Sequence, residues 1–269
     1  MPTVLFSQNG ELFYLTEKLP AEGMLGKGLR LLVALGNHPD GAGVSELARE
    51  VELPVSTTHR LLTGMIPQGF VAVDPERRQY FLGLRTFELS QRVASARKLS
   101  AVALPAMQRV TQVTGEPTLL AVLAEHEILY MERVEGKHLA QIRGSAGERG
   151  SLHGTALGKA LLAFLPEEER EILIERLPLP KLGPNSITDP DELRAELDRT
   201  RERGYAVNDE EPEAGVRAIG VPIINGRGRP AASIAVATLT FRYSMEELEK
   251  FVPLLQDVAR EIAVQLPRG

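Results

Sequence analysis

The chain contains no cysteine and no tryptophan among its 269 residues. The absence of cysteine excludes disulfide bonds, thiolate zinc sites, iron–sulfur clusters and thiol nucleophiles. The longest apolar stretch, around residues 231–239, is far shorter than the ~20 residues that a membrane-spanning helix requires. The first nine residues lack the basic segment of a signal peptide. We therefore expect a cytoplasmic protein that makes no membrane contact.

The chain also lacks an excess of positive charge. It carries 31 Lys and Arg against 36 Asp and Glu, a formal net charge of −5. Many nucleic-acid-binding proteins are basic because counterion release strengthens their binding, so this total argues against such a partner. Within residues 53–85, however, the arginines outnumber the acidic side chains, which are Asp74 and Glu76. The positive charge is therefore local to one segment.

Hydrophobic residues make up 43% of the chain and charged residues 25%, as is usual for globular proteins. The length suits two domains of about 100–200 residues each. The patterns predict an N-terminal extension over residues 1–23, a small domain over 24–83, a linker helix over 84–99 and a larger domain over 100–269. Residues 1–23 show no strong period and carry no functional prediction.

The small domain is predicted to contain, in order, two helices, a turn, a third helix and a hairpin. Apolar residues at helical spacing predict a first helix ending at Gly36 and a second over residues 44–51, with Ser45 as a suitable cap. Pro54 opens the third helix, whose apolar side carries Val55, Leu62, Met65 and Ile66. Strand-like residues 70–73 and 79–82 flank a hairpin loop. This is the plan of a winged helix-turn-helix, in which the last helix enters the DNA major groove.

Polar side chains cluster on the outer side of that last helix and at the tip of the hairpin. Hydroxyls and guanidinium groups donate hydrogen bonds to phosphate oxygens, and arginine also forms paired bonds to guanine. An ordinary solvated surface would have the same pattern, and His59 fits either interpretation. The candidate DNA contacts are Ser56, Thr57, Thr58, Arg60, Arg77 and Arg78.

The larger domain mixes strands and helices, so the predicted fold class is α+β. Strands are expected at residues 118–124, 127–134, 139–143, 205–208, 216–224 and 231–239. Helices are expected at 155–164, 166–176 and 189–203, the last capped by Asp189 and ended by Gly204. A single long helix over residues 244–266 closes the chain.

Three segments together resemble the IclR-type bacterial transcriptional regulators. The first comprises residues 45–62 with 69–83, the second residues 152–163 and the third residues 208–222. The resemblance implies a winged helix, a linker helix and a C-terminal effector-binding domain similar to a GAF fold. It also implies a repressor or activator that responds to a small metabolite, binds double-stranded operator DNA and assembles as a dimer or a dimer of dimers. No cofactor is implied.

The second segment also has a physical interpretation. Thr155 can cap the helix that follows, and the free N–H groups of its first turn favour an anion. Alternatively, Gly154, Ala156 and Gly158 simply allow close packing of the helix on the sheet. The glycines are one residue too close for a phosphate-binding loop, and Ala160 replaces its Ser or Thr, so we reject that interpretation.

The resemblance places further effector contacts on several strands and on this helix. Family positions that are often acidic, thiol or hydroxyl side chains are here Asn208, Ala218, Ala235 and Ala237. This departure favours an effector with an apolar or aromatic body and one polar end, such as a carboxylate, over a very small keto-acid. The candidate effector residues are Leu139, Ile142, Thr155, Ala156, Leu157, Asn208, Val216, Ala218, Ala235 and Ala237.

The remaining polar residues suggest neither a metal site nor catalysis. Asp209, Glu210, Glu211 and Glu213 could bind a hard cation, but we expect a solvated loop with one salt bridge to Arg217. His153 is expected to be structural, with ligand contact as the alternative. The rival class is a hydrolase or transferase that uses the C-terminal cavity. It would require a nucleophile–base pair there, and the sequence contains no G-x-S-x-G or H-E-x-x-H motif.

Overall fold

The computed structural model describes residues 3–6, 12–15, 23–90, 94–137 and 142–266. Strands β1 (Thr3–Phe6) and β2 (Leu12–Leu15) pair with each other within the predicted N-terminal extension. The remaining described residues divide into two compact units, whose boundary in the chain lies between Arg97 and Lys98.

The first unit contains three helices and a small antiparallel sheet. Its elements are α1 (Met24–Gly36), β3 (Ala42–Gly43), α2 (Val44–Glu50), α3 (Val55–Met65), β4 (Val71–Asp74), β5 (Gln79–Leu82) and α4 (Leu84–Ser90). The sheet order is β3-β5-β4. Leu31, Leu47 and Leu62, one from each of α1, α2 and α3, are fully buried in one cluster with Val71 and Tyr80. The winged helix-turn-helix plan predicted from the sequence is confirmed.

Two local predictions in this unit are wrong. Gly43, not Ser45, occupies the cap position of α2, and Ser45 lies inside the helix. Val55 is 49% exposed, although it was predicted to lie on the apolar side of α3. Thr58 and Leu62 are the buried residues of α3 instead. Leu62, Met65 and Ile66 do pack in the core of this unit, so the predicted apolar face is correct except at Val55.

The second unit is built around a six-stranded antiparallel sheet in the order β8-β7-β6-β11-β10-β9. The strands are β6 (Thr118–Ala124), β7 (Glu127–Val134), β8 (Arg149–Ser151), β9 (Ala206–Asp209), β10 (Val216–Ile224) and β11 (Pro230–Leu239). Strand residues alternate between two apolar clusters, as Ala218 and Ile219 do, because successive side chains point to opposite faces. The helices are α5 (Ala94–Thr114), α6 (Ala156–Ala163), α7 (Glu167–Arg176), α8 (Pro190–Arg203), α9 (Met245–Glu249) and α10 (Val252–Gln265).

Three predicted elements of this unit differ from the structure. The predicted linker helix does not end near residue 99, because α5 continues to Thr114 with Pro105 inside it. The third strand is β8 rather than residues 139–143, of which 139–141 lie outside the described residues and 142–143 are not in a strand. The closing helix is interrupted between Glu249 and Val252, because Pro253 lacks an N–H and its ring obstructs the carbonyl four residues earlier.

Candidate functional site

The outer face of α3 presents several polar side chains to solvent. Ser56, His59, Arg60 and Thr63 are exposed and Thr57 is half-buried. The opposite face is held by Leu62, which is fully buried among residues of α1 and α2. The arrangement leaves a rigid helix with hydroxyl and guanidinium donors outward, as major-groove recognition requires.

Thr58 does not belong to this outer face. It is fully buried, and its Oγ1 donates a hydrogen bond to the Pro54 carbonyl at 3.2 Å. The prediction that Thr58 contacts DNA is therefore wrong. Its hydroxyl instead satisfies a backbone acceptor at the start of α3, and burial follows because Thr58 is one turn before Leu62 on the same face.

The hairpin between β4 and β5 forms a compact wing tip. Asp74 Oδ1 accepts hydrogen bonds from the backbone N–H groups of Glu76 and Arg77, at 2.9 and 3.0 Å, and so fixes the turn. Arg78 has a left-handed φ of 55°. Arg77 keeps 76% of its side chain exposed, with its Nε 3.9 Å from Asp74 Oδ2, and Arg78 is exposed. Both guanidinium groups are therefore available to phosphate.

In the second unit, α6 lies closely against one face of the sheet. Thr155 Oγ1 accepts a hydrogen bond from the Gly158 N–H at 3.0 Å, which confirms the predicted cap. A Cβ on Gly158 would be 2.2 Å from the Leu152 carbonyl oxygen, and a Cβ on Gly220 of β10 would be 2.9 Å from the Ala156 carbonyl oxygen. Close packing therefore accounts for Gly158, although its near neighbour is Leu152 in the turn before α6 and not the sheet.

The strand register brings the predicted effector residues together beside α6. Asn208 of β9 and Ala237 of β11 both pair directly with Ala218 of β10, so their three side chains share one face. Ala235 lies two residues from Ala237 on the same face, opposite Gly220. These alanines, together with Ile142, Ala156, Leu157 and Val216, belong to the apolar cluster on the α6 side of the sheet. Leu139 lies outside the described residues.

Asn208 is the polar member of this row and is almost fully buried. Its Oδ1 accepts a hydrogen bond from the Glu211 backbone N–H at 3.0 Å. The alanines of this row are small and apolar and offer the amide no competing hydrogen bonds.

The loop that follows β9 is not the solvated acidic loop that the sequence predicts. The salt bridge to Arg217 is present, from Asp209 Oδ1 at 2.5 Å. Glu211, however, is buried, and both its carboxylate oxygens accept hydrogen bonds from Lys159 Nζ, at 2.5 and 2.7 Å. Burial raises the pKa of Glu211, and the Lys159 ammonium opposes this rise.

Lys159 is the functional candidate that the sequence analysis missed. It is only 1% exposed, although it lies in the middle of α6. The sequence does carry a signal, since one lysine interrupts an otherwise apolar helix, but it does not reveal the partners. These partners come from a distant loop and from α8, where Glu196 Oε1 is 3.9 Å from Nζ. Across the described chain, no group of three His, Asp or Glu side chains is arranged to hold a metal ion.

His153 lies in the turn before α6. It is buried, and its Nδ1 is 2.9 Å from Ser151 Oγ, which also accepts a hydrogen bond from the Gly154 N–H. This is the kind of Ser–His contact that an enzyme would require, but among the described residues no carboxylate bonds to the imidazole. Burial, followed by the nearby Lys159 charge, lowers the pKa of His153.

The lowered pKa of His153 predicts a specific pH dependence of stability. The unfolded chain takes up a proton near the ordinary histidine pKa of 6.5, whereas the folded chain takes it up only at lower pH. The free energy of unfolding should therefore fall as pH decreases below this value. We expect His153→Asn, which keeps an acceptor for Ser151, to lose less stability between pH 7.5 and 5.5 in urea titrations. The exposed His59→Asn is the control, and an unchanged pH slope in His153→Asn would contradict the assignment.

Comparison with known proteins identifies the class. The family description "Bacterial transcriptional regulator IclR C-terminal" matches residues 91–264, and "IclR helix-turn-helix domain" matches residues 24–75. The HTH-type transcriptional regulator KdgR of Escherichia coli is 32% identical, covering 88% of this chain and 89% of its own. The transcriptional repressor IclR of the same organism is 31% identical and covers 91% of both chains.

Solved structures agree with these matches. An IclR homologue from Microbacterium hydrocarbonoxydans, complexed with 4-hydroxybenzoate, has a TM-score of 0.81 and 31% identity, covering 91% of this chain and 99% of its own. The Thermotoga maritima IclR has a TM-score of 0.73 and 30% identity, covering 90% and 98%. The protein is thus a DNA-binding bacterial transcriptional regulator with a helix-turn-helix unit. More particularly, the chain belongs to the IclR family, whose members are regulators rather than enzymes. Among the described residues, no helix could cross a membrane.

Proposed function

We propose that this regulator binds operator DNA through α3 and the wing tip, and that a small carboxylate with an apolar or aromatic body controls this binding. The observation that carries the effector proposal is the row formed by Asn208, Ala218 and Ala237 beside the start of α6. One buried amide among alanines suits a ligand that is mostly apolar with one polar end. The complex of a relative with 4-hydroxybenzoate supports an aromatic acid.

The proposed DNA contacts are Ser56, Thr57, Arg60, Arg77 and Arg78. A single recognition helix reads a short site, so regulators of this kind read two half-sites as symmetric dimers. We accordingly propose self-association as a dimer or a dimer of dimers. Effector and DNA then change each other's affinity by the same factor, because both bias one equilibrium between conformations.

A thermal-shift screen followed by a DNA shift assay tests the proposal. We expect benzoate or 4-hydroxybenzoate to raise the melting temperature, since a ligand that binds the folded state adds RT ln(1 + [L]/Kd) to stability. Glyoxylate and pyruvate should have smaller effects. The same aromatic acid should change the affinity for a fragment of the DNA upstream of the protein's own gene. Tight binding of only the keto-acids would refute the effector class, and turnover of a metabolite without specific DNA binding would refute the regulator.

A further inference from the structure

Val55 is an apolar side chain that is exposed on the otherwise polar outer side of α3. It is the first residue of this helix and is 49% exposed. It is not among the residues that form the apolar cluster of the first unit or pack against it. Valine is also a weak helix former, because its branched side chain is restricted within a helix. Neither packing in the core nor helix formation therefore accounts for a valine at this position.

The direction of the Val55 side chain follows from its place at the N-terminal end of α3. The Cα–Cβ bonds of an α-helix tilt toward its N-terminus, so the first residue projects its methyl groups toward that end. In helix-turn-helix proteins, the N-terminal residues of the recognition helix contact the base edges. A single exposed valine elsewhere on a protein surface needs no explanation, but Val55 lies at the end of α3 that enters the groove in the proposed complex.

The first turn of α3 is held in one conformation. Pro54 precedes the helix, and its carbonyl oxygen accepts a hydrogen bond from the Thr58 N–H at 2.9 Å. One turn further along, Leu62 is fully buried in the core of the unit. The valine side chain adds little freedom of its own, because one χ1 rotamer is strongly preferred in a helix. A contact made by Val55 therefore loses little conformational entropy on binding.

The surroundings of Val55 suit a polyanion such as DNA. The first turn of α3 contains no acidic side chain, and the N-terminal end of a helix carries a partial positive charge. Ser56 and Arg60 are exposed on the same outer side and can donate hydrogen bonds to phosphate oxygens or base edges. Val55 therefore adds an apolar group to a surface of hydrogen-bond donors.

We propose that Val55 contacts the C5 methyl group of a thymine in the major groove, and so specifies a thymine beneath the N-terminal end of α3 in each half-site. This inference rests on the proposed function and deepens it. The thymine methyl is the apolar group that the bases present in the major groove, and apolar side chains recognise it there. The hydrogen-bond donors of Ser56 and Arg60 do not read this group.

Replacing thymine by uracil in the DNA tests the contact, because it removes the methyl group and leaves the O4 acceptor in place. The full-length protein is titrated in a shift assay against the upstream DNA, in which the thymines are replaced one at a time. We expect one position in each half-site at which uracil weakens binding roughly fourfold, about the effect of one buried methyl group.

Val55→Ala completes a double-mutant cycle with this substitution in the DNA. The variant should bind the thymine-containing DNA more weakly and should lose nothing further when uracil occupies the position that Val55 reads. Because Val55 lies outside the core, the variant should unfold at the same urea concentration as the unmodified protein. The control is Val264→Ala, which truncates a valine of α10 that is 86% exposed and should keep the full uracil effect.

The possible outcomes separate this inference from the proposed function. Specific binding of the upstream DNA without a uracil effect at any position overturns the role of Val55 alone. A uracil effect of equal size in Val55→Ala and in the unmodified protein also overturns it, since the methyl contact then belongs to another side chain. Failure of the unmodified protein to bind the upstream DNA specifically overturns the proposed function, and the role of Val55 with it.

Discussion

Replacing Lys159 by methionine should lower the free energy of unfolding by about 3–5 kcal/mol, because it leaves the Glu211 carboxylate buried without its counter-charge. Lys159 is 1% exposed and Glu211 is 7% exposed, so little solvent is available to screen the remaining charge. The loss should be smaller at pH 5 than at pH 8. The raised pKa of Glu211 rises further without Lys159, so the folded variant takes up a proton as the pH falls and neutralises the site.

The double variant Lys159→Met with Glu211→Leu separates the effect of an unpaired charge on stability from the effect of lost packing. A buried ion pair replaced by apolar side chains of similar volume is often neutral for stability, so Lys159→Met with Glu211→Leu should recover most of the loss. Arg229→Met is the matched control, since its pair with Glu169 is more exposed, at 30% and 20%, and should contribute less than the buried pair. Urea denaturation of the four proteins measures these differences. If the free energy of unfolding falls no more in Lys159→Met than in Arg229→Met, Lys159 and Glu211 do not form a stabilising buried ion pair.

Replacing Arg60 by alanine should weaken specific operator binding by about 1–3 kcal/mol, roughly 5- to 150-fold. Arg60 is on the exposed face of α3, whose other face is fixed in the core by Leu62. In the proposed complex, the Arg60 guanidinium bonds to a base edge or to phosphate. If it contacts phosphate alone, specific and non-specific binding should weaken together and the salt dependence should fall by about one charge.

Two controls accompany Arg60→Ala in the shift assay. Arg201→Ala removes an exposed arginine from α8 in the second unit and should leave DNA affinity within about twofold. Thr58→Val removes only a buried hydroxyl whose partner is the Pro54 carbonyl, so it should lower stability but leave the DNA affinity of the folded protein unchanged. Equal DNA affinities for Arg60→Ala and Arg201→Ala would show that α3 does not carry the recognition surface.

Sequence patterns correctly predicted the helix ends that are determined by hydrogen bonds between neighbouring residues. Asp189, Pro190 and Gly204 mark the start and end of α8, and the structure has the predicted cap and a left-handed Gly204. Thr155 likewise caps α6. These features depend on hydrogen bonds within a few residues, so composition and spacing reveal them. The sequence patterns failed at Pro105, which lies inside α5, and between α9 and α10, where Pro253 interrupts the predicted single helix.

The candidate site also combines features that the sequence predicts with features that only the tertiary structure shows. The sequence determined the winged helix-turn-helix, the exposed arginines of α3 and the wing, and the small residues that flank Asn208. Only the tertiary structure decided that Thr58 turns inward and that Lys159 is buried against Glu211, 52 residues away in the chain. Each of these depends on contacts between residues far apart in the chain or on the exact direction of one helix face. Local patterns carry no information about such partners, because burial and pairing are properties of the packed sheet and helices rather than of any one segment.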